Sequence, residues 1–374
     1  MVSVLDLKVL RDLRSMWAQV ASISLLIAAA IAVLVMSVSN YLALVRAMET
    51  HYRTERFADL FAGLKRAPIA VADAVREIDG IAVVEPRIAE PVRVIREDDA
   101  MPLSGRMISL PATGQPQLNR LHLMEGRWIE PGRLDEVIIN AAFGGARHVR
   151  PGDGIDVVLN GRLQRFRVAG LALSPEFVFA TRSALPLPDD RNFVVIWASE
   201  EAVAGAFDMS GAFNDLVITL APGASSARVI EEVDRTLAPY GGVGAYGRRD
   251  LPSNRFLEDE LAEQETLSIV MPVVFFGIAA FLLNVVLGRL VEAQREQIAS
   301  LRALGFPRGA ILVHYVKLVS AIAVTGSVLG ILIGRWLATA VIESYRAFFR
   351  FPALEPQLDA GIAALAIVAA LAVS

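Results

Sequence analysis

Apolar and polar positions divide the chain into long uncharged runs and one long mixed stretch. From Ser15 to Val45 there are 31 positions without a charged residue, and from Leu267 to Gly288 there are 22. The second run would be about 33 Å long as a helix, against a hydrocarbon core of about 30 Å. A third run, Leu318 to Gly334, is shorter, but Lys317 and Arg335 flank it and their stems can reach the interfaces. Each run predicts a membrane span. A fourth apolar run starts at Ala360 and stops with the chain at Ser374. It reads as the start of a further span, in a truncated product or in the first half of a longer reading frame.

The long stretch between the first two spans has the texture of a folded domain. Two parts of it resemble each other, FADLFAGLKRAPIAVADAVREIDGIAVVEPRI (57–88) and FNDLVITLAPGASSARVIEEVDRTLAPYGGVGAY (213–246). Each opens with Phe-x-Asp-Leu and reads strand, helix, strand. Val71, Val75 and Ile78 share one helix face in the first, and Ile230, Val233 and Leu237 do so in the second. Two such units can build one split βαβ layer. Between them, short strands dominate: DEVIIN (135–140), GIDVVLNG (154–161), RFRVAGLAL (165–173) and NFVVIWAS (192–199), with Asn160-Gly161 as a hairpin turn. Phe177, Phe179, Phe193 and Trp197 are expected in its core, the alternative being the lining of a lipid-facing groove. The predicted fold class is an α-helical membrane protein with a large extracytoplasmic α+β domain, a split βαβ layer carrying a β-rich insertion.

Lys and Arg favour the cytoplasmic side of a membrane. Lys8, Arg11 and Arg14 precede the first span, and Arg289, Arg295, Arg302, Arg308 and Lys317 lie between the second and third. The expected division is a cytoplasmic N-terminus (1–14), span one (15–45), the outside domain (46–266), span two (267–288), a cytoplasmic loop (289–317), span three (318–342), an outer loop (343–359) and the start of span four (360–374). The outside domain divides into the βαβ layer (57–95 and 206–249), the insertion (96–205) and a stalk (250–266) that continues into span two. The segment 46–56 is expected to pair with that stalk. The first apolar run is too long for a cleaved signal peptide and predicts an anchor.

Composition narrows the chemistry. Mean hydropathy is +0.48 and net charge is −4, which gives no nucleic-acid signature. Cysteine is absent from the sequence, so there is no disulfide framework and no thiolate metal site. The sequence contains no P-loop, no H-E-x-x-H and no G-x-S-x-G. The four histidines, His51, His122, His148 and His314, are scattered, and the carboxylate pairs Asp98-Asp99 and Glu231-Glu232 read as solvated surface. Within the spans, Gly326, Gly330 and Gly334 fall on one helix face and read as a packing ridge. Pro272 is expected to kink span two. The three central runs carry no ionisable residue, so an intramembrane proton relay is not supported.

One polar stretch stands out between spans two and three, REQIASLRALG. Ile298, Leu301 and Leu304 form an apolar stripe. Glu296 and Arg302 are among the polar residues around it, Gly305 reads as the C′ residue and Pro307 blocks continuation. Such a helix either rests on lipid or inserts its stripe into a groove of a partner.

Glu296, Leu301 to Phe306 and Ile311 resemble the segment after the second span in FtsX-like ABC transporter permeases of the macrolide-exporter and lipoprotein-release types. The order of spans is similar, and so is the order Gly126-Arg127, Asp135-Glu136-Val137-Ile138-Ile139, Pro151-Gly152-Asp153, Phe166-Arg167-Val168-Ala169-Gly170. The resemblance implies a non-catalytic permease subunit in a bacterial inner membrane, multi-pass and without a nucleotide site of its own. Its implied partners are a cytoplasmic ABC ATPase, which would bind ATP and magnesium, a second permease copy or half, and membrane lipid. The stretch would be the coupling helix, with Ile298, Leu301 and Leu304 as docking contacts and Glu296 and Arg302 as polar ones. It implies export or extraction of a lipophilic or envelope substrate, or alternatively a signalling module of the same architecture that regulates a cell-wall hydrolase or senses a peptide.

Overall fold

The computed structural model describes all residues except 1–3, 97–101, 113, 180–188, 349, 353, 356–359 and 374, so Asp98-Asp99 lies outside the described residues. In chain order the elements are α1 (Val4–Ser15), α2 (Trp17–Thr54), β1 (Leu60–Pro68), α3 (Ala70–Arg76), β2 (Ile81–Arg87), β3 (Ala89–Ile95), β4 (Leu103–Leu110), β5 (His122–Gly126), β6 (Glu136–Asn140), α4 (Ala141–Arg147), β7 (Gly154–Leu159), β8 (Arg162–Leu173), β9 (Phe193–Ser199), α5 (Glu200–Phe207), β10 (Ala212–Leu220), α6 (Ser226–Leu237), β11 (Ala245–Gly247), α7 (Pro252–Ala293), α8 (Arg295–Ala303), α9 (Arg308–Phe348) and α10 (Ala360–Val373). They form two compact units. One comprises Met1–Arg46, Leu261–Arg346 and Leu354–Ser374; the other comprises Ala47–Glu260 and Ala347–Ala353.

The first unit is helical. Three of its helices, α2, α7 and α9, contain segments long and apolar enough to cross a membrane. At 38 and 42 residues, α2 and α7 would extend about 57 and 63 Å, far beyond a hydrocarbon core of about 30 Å. Ile23, Ile27, Ile31 and Val35 of α2 recur every fourth residue and pack with Leu318, Ile322 and Ala323 of α9. Ile269, Val273 and Phe281 of α7 are exposed apolar side chains, as expected of a surface that a bilayer covers. Pro272 lies inside α7, and the helix remains a single element across it.

The second unit holds two sheets. The smaller has the order β11-β1-β10-β2, all antiparallel, with α3 and α6 over one face. This is the split βαβ arrangement, built from the two similar stretches. Val71 and Val75 are buried on α3, and Val229, Val233 and Leu237 on α6, while Ile78 and Ile230 are partly buried. The repeated Phe-x-Asp-Leu has a structural cause. Phe57 and Phe213 are buried, and Asp59 accepts from the Leu220 backbone at 2.9 Å while Asp215 accepts from Arg87.

The larger sheet has the order β5-β8-β6-β9-β4-β3-β7, with β7 also pairing with β8. Asn160 and Gly161, both at positive φ (47° and 80°), close the β7–β8 hairpin. Trp197 and Phe179 are buried, and Phe177 and Phe193 pack against the same side of the sheet.

One boundary differs from expectation. The sequence division put the start of the insertion at 96, but β3 (89–95) already belongs to the larger sheet, where it pairs with β4 and β7. The switch occurs at Ile88, whose N–H donates to Ser109 Oγ at 2.8 Å, and Ala89 N–H donates to Asn214 Oδ1 at 2.8 Å. No glycine marks this point, and the same mixture of apolar and charged residues continues on both sides of it, so the pattern alone gives no sign of a change of sheet.

Candidate functional site

Helix α8 is short and punctuated at both ends. Gln294 is the one residue between α7 and α8, with φ −97° and ψ 11°, which interrupts the helix without reversing the chain. At the other end Leu304 caps the helix and Gly305 adopts φ 91°, where a Cβ would be strained. Gly305 N–H donates to Arg302 O at 3.1 Å and Phe306 N–H to Leu301 O at 3.2 Å, the paired bonds of a Schellman motif. Ile298 and Leu301 are half-buried, while Glu296 and Arg302 are exposed. Leu304 is 76% exposed, because the regular helix stops at Ala303 and leaves this side chain at the tip. The three-residue repeat placed Leu304 on a helical stripe; the structure puts it just past the stripe's end.

Gly326, Gly330 and Gly334 lie together on the face of α9 that meets α2. A Cβ on Gly326 would fall 2.8 Å from Ser24 O, one on Gly330 2.7 Å from Ala28 O, and one on Gly334 2.8 Å from Val35 Cβ. Ser24 Oγ donates to Ile322 O at 3.3 Å across the same seam. Lipid tails are as apolar as side chains, so close backbone approach is what favours such contacts.

In the outside domain a buried ion cluster ties the two sheets. Arg87 of β2 donates from Nη1 and Nη2 to Glu176 at 2.6 and 2.7 Å, and from Nε to Asp215 of β10 at 2.5 Å. Arg106 of β4, in the larger sheet, lies 3.6 Å from Asp215. Burial pushes the Glu176 carboxyl up, but Arg87, aided by Arg106 and Asn119, holds it below the usual carboxylate range. Asn119 links this cluster to the end of α2. Its side chain donates to Glu176 at 2.9 Å and accepts from Ala58 N–H at 2.8 Å, and its own N–H donates to Arg56 O at 3.0 Å. Tyr52 near the end of α2 donates to Asn254 of α7 at 2.7 Å, so the two stalk ends are joined here. These cluster and relay residues are far apart in sequence and follow no spacing rule, so sequence reasoning missed them.

The ordered motifs of the insertion converge on one corner. Arg127 grips Glu136, 1% exposed, with two bonds of 2.8 and 2.6 Å. Gly126 has φ 80°, and a Cβ there would lie 2.3 Å from Ala169 O. Gly152 N–H donates to Val168 O at 2.7 Å, and Val168 N–H to Asp153 O at 2.8 Å.

Among the described residues there is no group of His, Asp and Glu able to hold a metal. Glu231 pairs with Arg235 at 2.9 Å on the exposed face of α6. The sequence offered no ligand box, yet the larger-sheet part has an open groove of about 850 Å³ whose lining includes Trp128, Ile129 and Leu134.

Three helices long and apolar enough to cross a membrane, with a large α/β unit, define the class as an α-helical membrane protein with a large α/β domain. Residues 269–374 match the FtsX-like permease C-terminal domain. Solved structures similar to the chain include the periplasmic region of MacB from Actinobacillus actinomycetemcomitans. It has 10% identity, 57% of this chain and 97% of that one covered, and a TM-score of 0.33. Another is the extracellular domain of the noncanonic ABC-type transporter YknZ from Gram-positive bacteria, at 12% identity, 51% and 98% covered, and a TM-score of 0.33. No curated protein matches the chain.

Proposed function

We propose that the chain is the permease subunit of a transporter in which a separate cytoplasmic ATPase docks on α8 and drives movements of the outside domain. The observation that carries this is helix α7. It runs unbroken from Pro252 to Ala293, and α8 starts two residues later at Arg295. A displacement of α8 is therefore applied to the end of one stiff rod. The other end of that rod carries Asn254, bonded to Tyr52, and the Asn119 relay continues from the end of α2 to the ion cluster between the sheets.

Ile298, Leu301 and the exposed Leu304 offer the docking contacts, with Glu296 and Arg302 as the polar ones. ATP and magnesium belong to the ATPase in this reading. The basic residues around the first span and between the second and third orient the chain with α8 in the cytoplasm of a bacterium and the sheets outside the inner membrane. The exposed apolar residues of α7 fit contact with lipid and with a second permease copy or half. The substrate class in this reading is lipophilic or envelope-derived. Its motivation is the lack of charged residues inside the central apolar runs, combined with the partly apolar groove near Trp128 outside them.

The test is a pull-down of the membrane-extracted chain against candidate cytoplasmic ATPases, repeated with Leu301→Asp. Capture by the native chain, reduced at least tenfold by the variant with unchanged thermal stability, is the expected result. Equal capture by both, or none by the native chain, overturns the docking assignment. ATP turnover that moves a substrate marks a transporter; turnover that alters a hydrolase without moving any substrate marks a signalling module.

A further inference from the structure

Helix α1 has two faces. Arg11 and Arg14 are exposed, whereas Val9, Asp12, Leu13 and Met16 turn inward, with Val9 and Leu13 in the apolar core of the helical unit. A basic helix resting on lipid has no use for a carboxylate on its inner face. Asp12, 8% exposed, nevertheless sits there. It accepts from Lys8 of its own helix and lies 3.1 Å from His314 Nε2, near the start of α9. His314 is 2% exposed, and its Nδ1 has no partner. Nε2 is thus the ring nitrogen that faces a partner, and that partner is Asp12. One turn further along, Met16 Sδ accepts from Gln294 Nε2 at 3.2 Å, and Gln294 Oε1 accepts from the Tyr315 hydroxyl at 2.7 Å. Gln294 is 6% exposed.

Gln294 is the break between α7 and α8, and Gly305 is the break between α8 and α9. Held by these two hinges alone, α8 would fold over when pushed, and little of the push would reach α7. We propose that α1 is the brace that prevents this: Asp12 through His314, and Met16 through Gln294 and Tyr315, fix the α7–α8–α9 corner, so that α8 moves as one piece with the helices on either side. The proposal rests on the reading of α8 as the docking element and assigns Asp12, Met16, Gln294 and His314 as positioning residues for it. They touch no partner themselves.

The chain lacks cysteine, so pairs of spin labels can be placed without background. One pair joins Ser300→Cys on α8 to Ser22→Cys on α2; a control pair joins Ser22→Cys to Thr339→Cys on α9. All three positions are exposed. Distances are measured on the full chain in lipid nanodiscs without any ATPase. Asp12→Ala and Gln294→Ala are each expected at least to double the width of the α8 distance distribution and to leave the control pair unchanged. Asp12→Asn, which keeps an acceptor for His314, is expected to recover most of the native width. An unchanged α8 distribution in both alanine variants overturns the proposal, as does equal broadening of both pairs, which would mark general loosening of the bundle. Because no ATPase is present, a failed brace leaves the docking reading to the Leu301→Asp pull-down. A failed pull-down with an intact brace overturns docking alone.

Discussion

Gly126 and Gly152 are both at positive φ, yet the space around them differs. At Gly126 an added Cβ meets Ala169 O at 2.3 Å, while at Gly152 nothing lies within 4 Å. Gly152→Ala should therefore cost about 1–2 kcal/mol, the penalty for a left-handed alanine. Gly126→Ala adds a backbone clash and should cost about 2–4 kcal/mol. In thermal unfolding of the extracted chain, Gly126→Ala should lower the midpoint by at least twice as much as Gly152→Ala; equal shifts would show that the corner yields. The order Gly-Arg, Asp-Glu, Pro-Gly-Asp was legible as a resemblance, but its cause, one shared corner, is a matter of pairing between β5, β6 and β8. The ion cluster left no trace in sequence, since Arg87, Glu176 and Asp215 stand 89 and 128 positions apart. Removing Arg87 strands two buried carboxylates, and Arg87→Met should destabilise the domain by about 3–5 kcal/mol. For Glu176 the sign with pH follows from its lowered folded-state pKa. Its ionised form stabilises the fold above the ordinary carboxylate value of about 4.3, and that contribution is lost as pH falls through the lower folded value. The stability gap between native chain and Glu176→Gln should thus be largest near neutrality and shrink below about pH 4; a gap that widens on acidification would contradict the pairing.

At the scale of elements, the glycines of α9 were readable by their four-residue spacing, while their partner was not named. A matching signal was present. Ser24, Ala28 and Ala32 of α2 also recur every fourth residue, and their carbonyl oxygens meet the glycine faces together with the side chains of Ile27, Ile31 and Val35. The glycines of α9 let that face of α2 approach closely. Gly330→Val should push α2 and α9 apart and lower the melting midpoint of the extracted chain by at least 5 °C. Gly277→Val, at a position of α7 with open space around it, should have little effect. Equal effects of the two would mean that valine in a helix, and not the seam, is responsible. The strands with continuous apolar runs or apolar alternation, β6 to β9, were legible as strands. β3 to β5 were not, because their edges lie in segments rich in charge and turn residues, and their place in the sheet depends on pairing with strands distant in sequence.

For the whole molecule, the apolar runs made the helical part and the outside domain legible, but the length of the helices carries more than crossing requires. A helix of 42 residues in which only the central 22 positions form the uncharged run has about 20 residues left to carry displacement beyond the hydrocarbon. If that rod transmits work, the hydrogen-bonded junction of Tyr52 and Asn254 must change its geometry during each cycle as it passes motion from α7 to the end of α2. Bridging Tyr52→Cys to Asn254→Cys with a short, reducible bifunctional thiol reagent is possible in this cysteine-free chain. ATP turnover by an ATPase captured in the pull-down should then fall at least fivefold relative to the same double variant before bridging, and return on reduction. Turnover that continues at the native rate with the bridge closed would show that hydrolysis proceeds without stalk motion. In that case α7 would be an anchor for the outside domain, and the work of the cycle would have to be done within the helical unit itself.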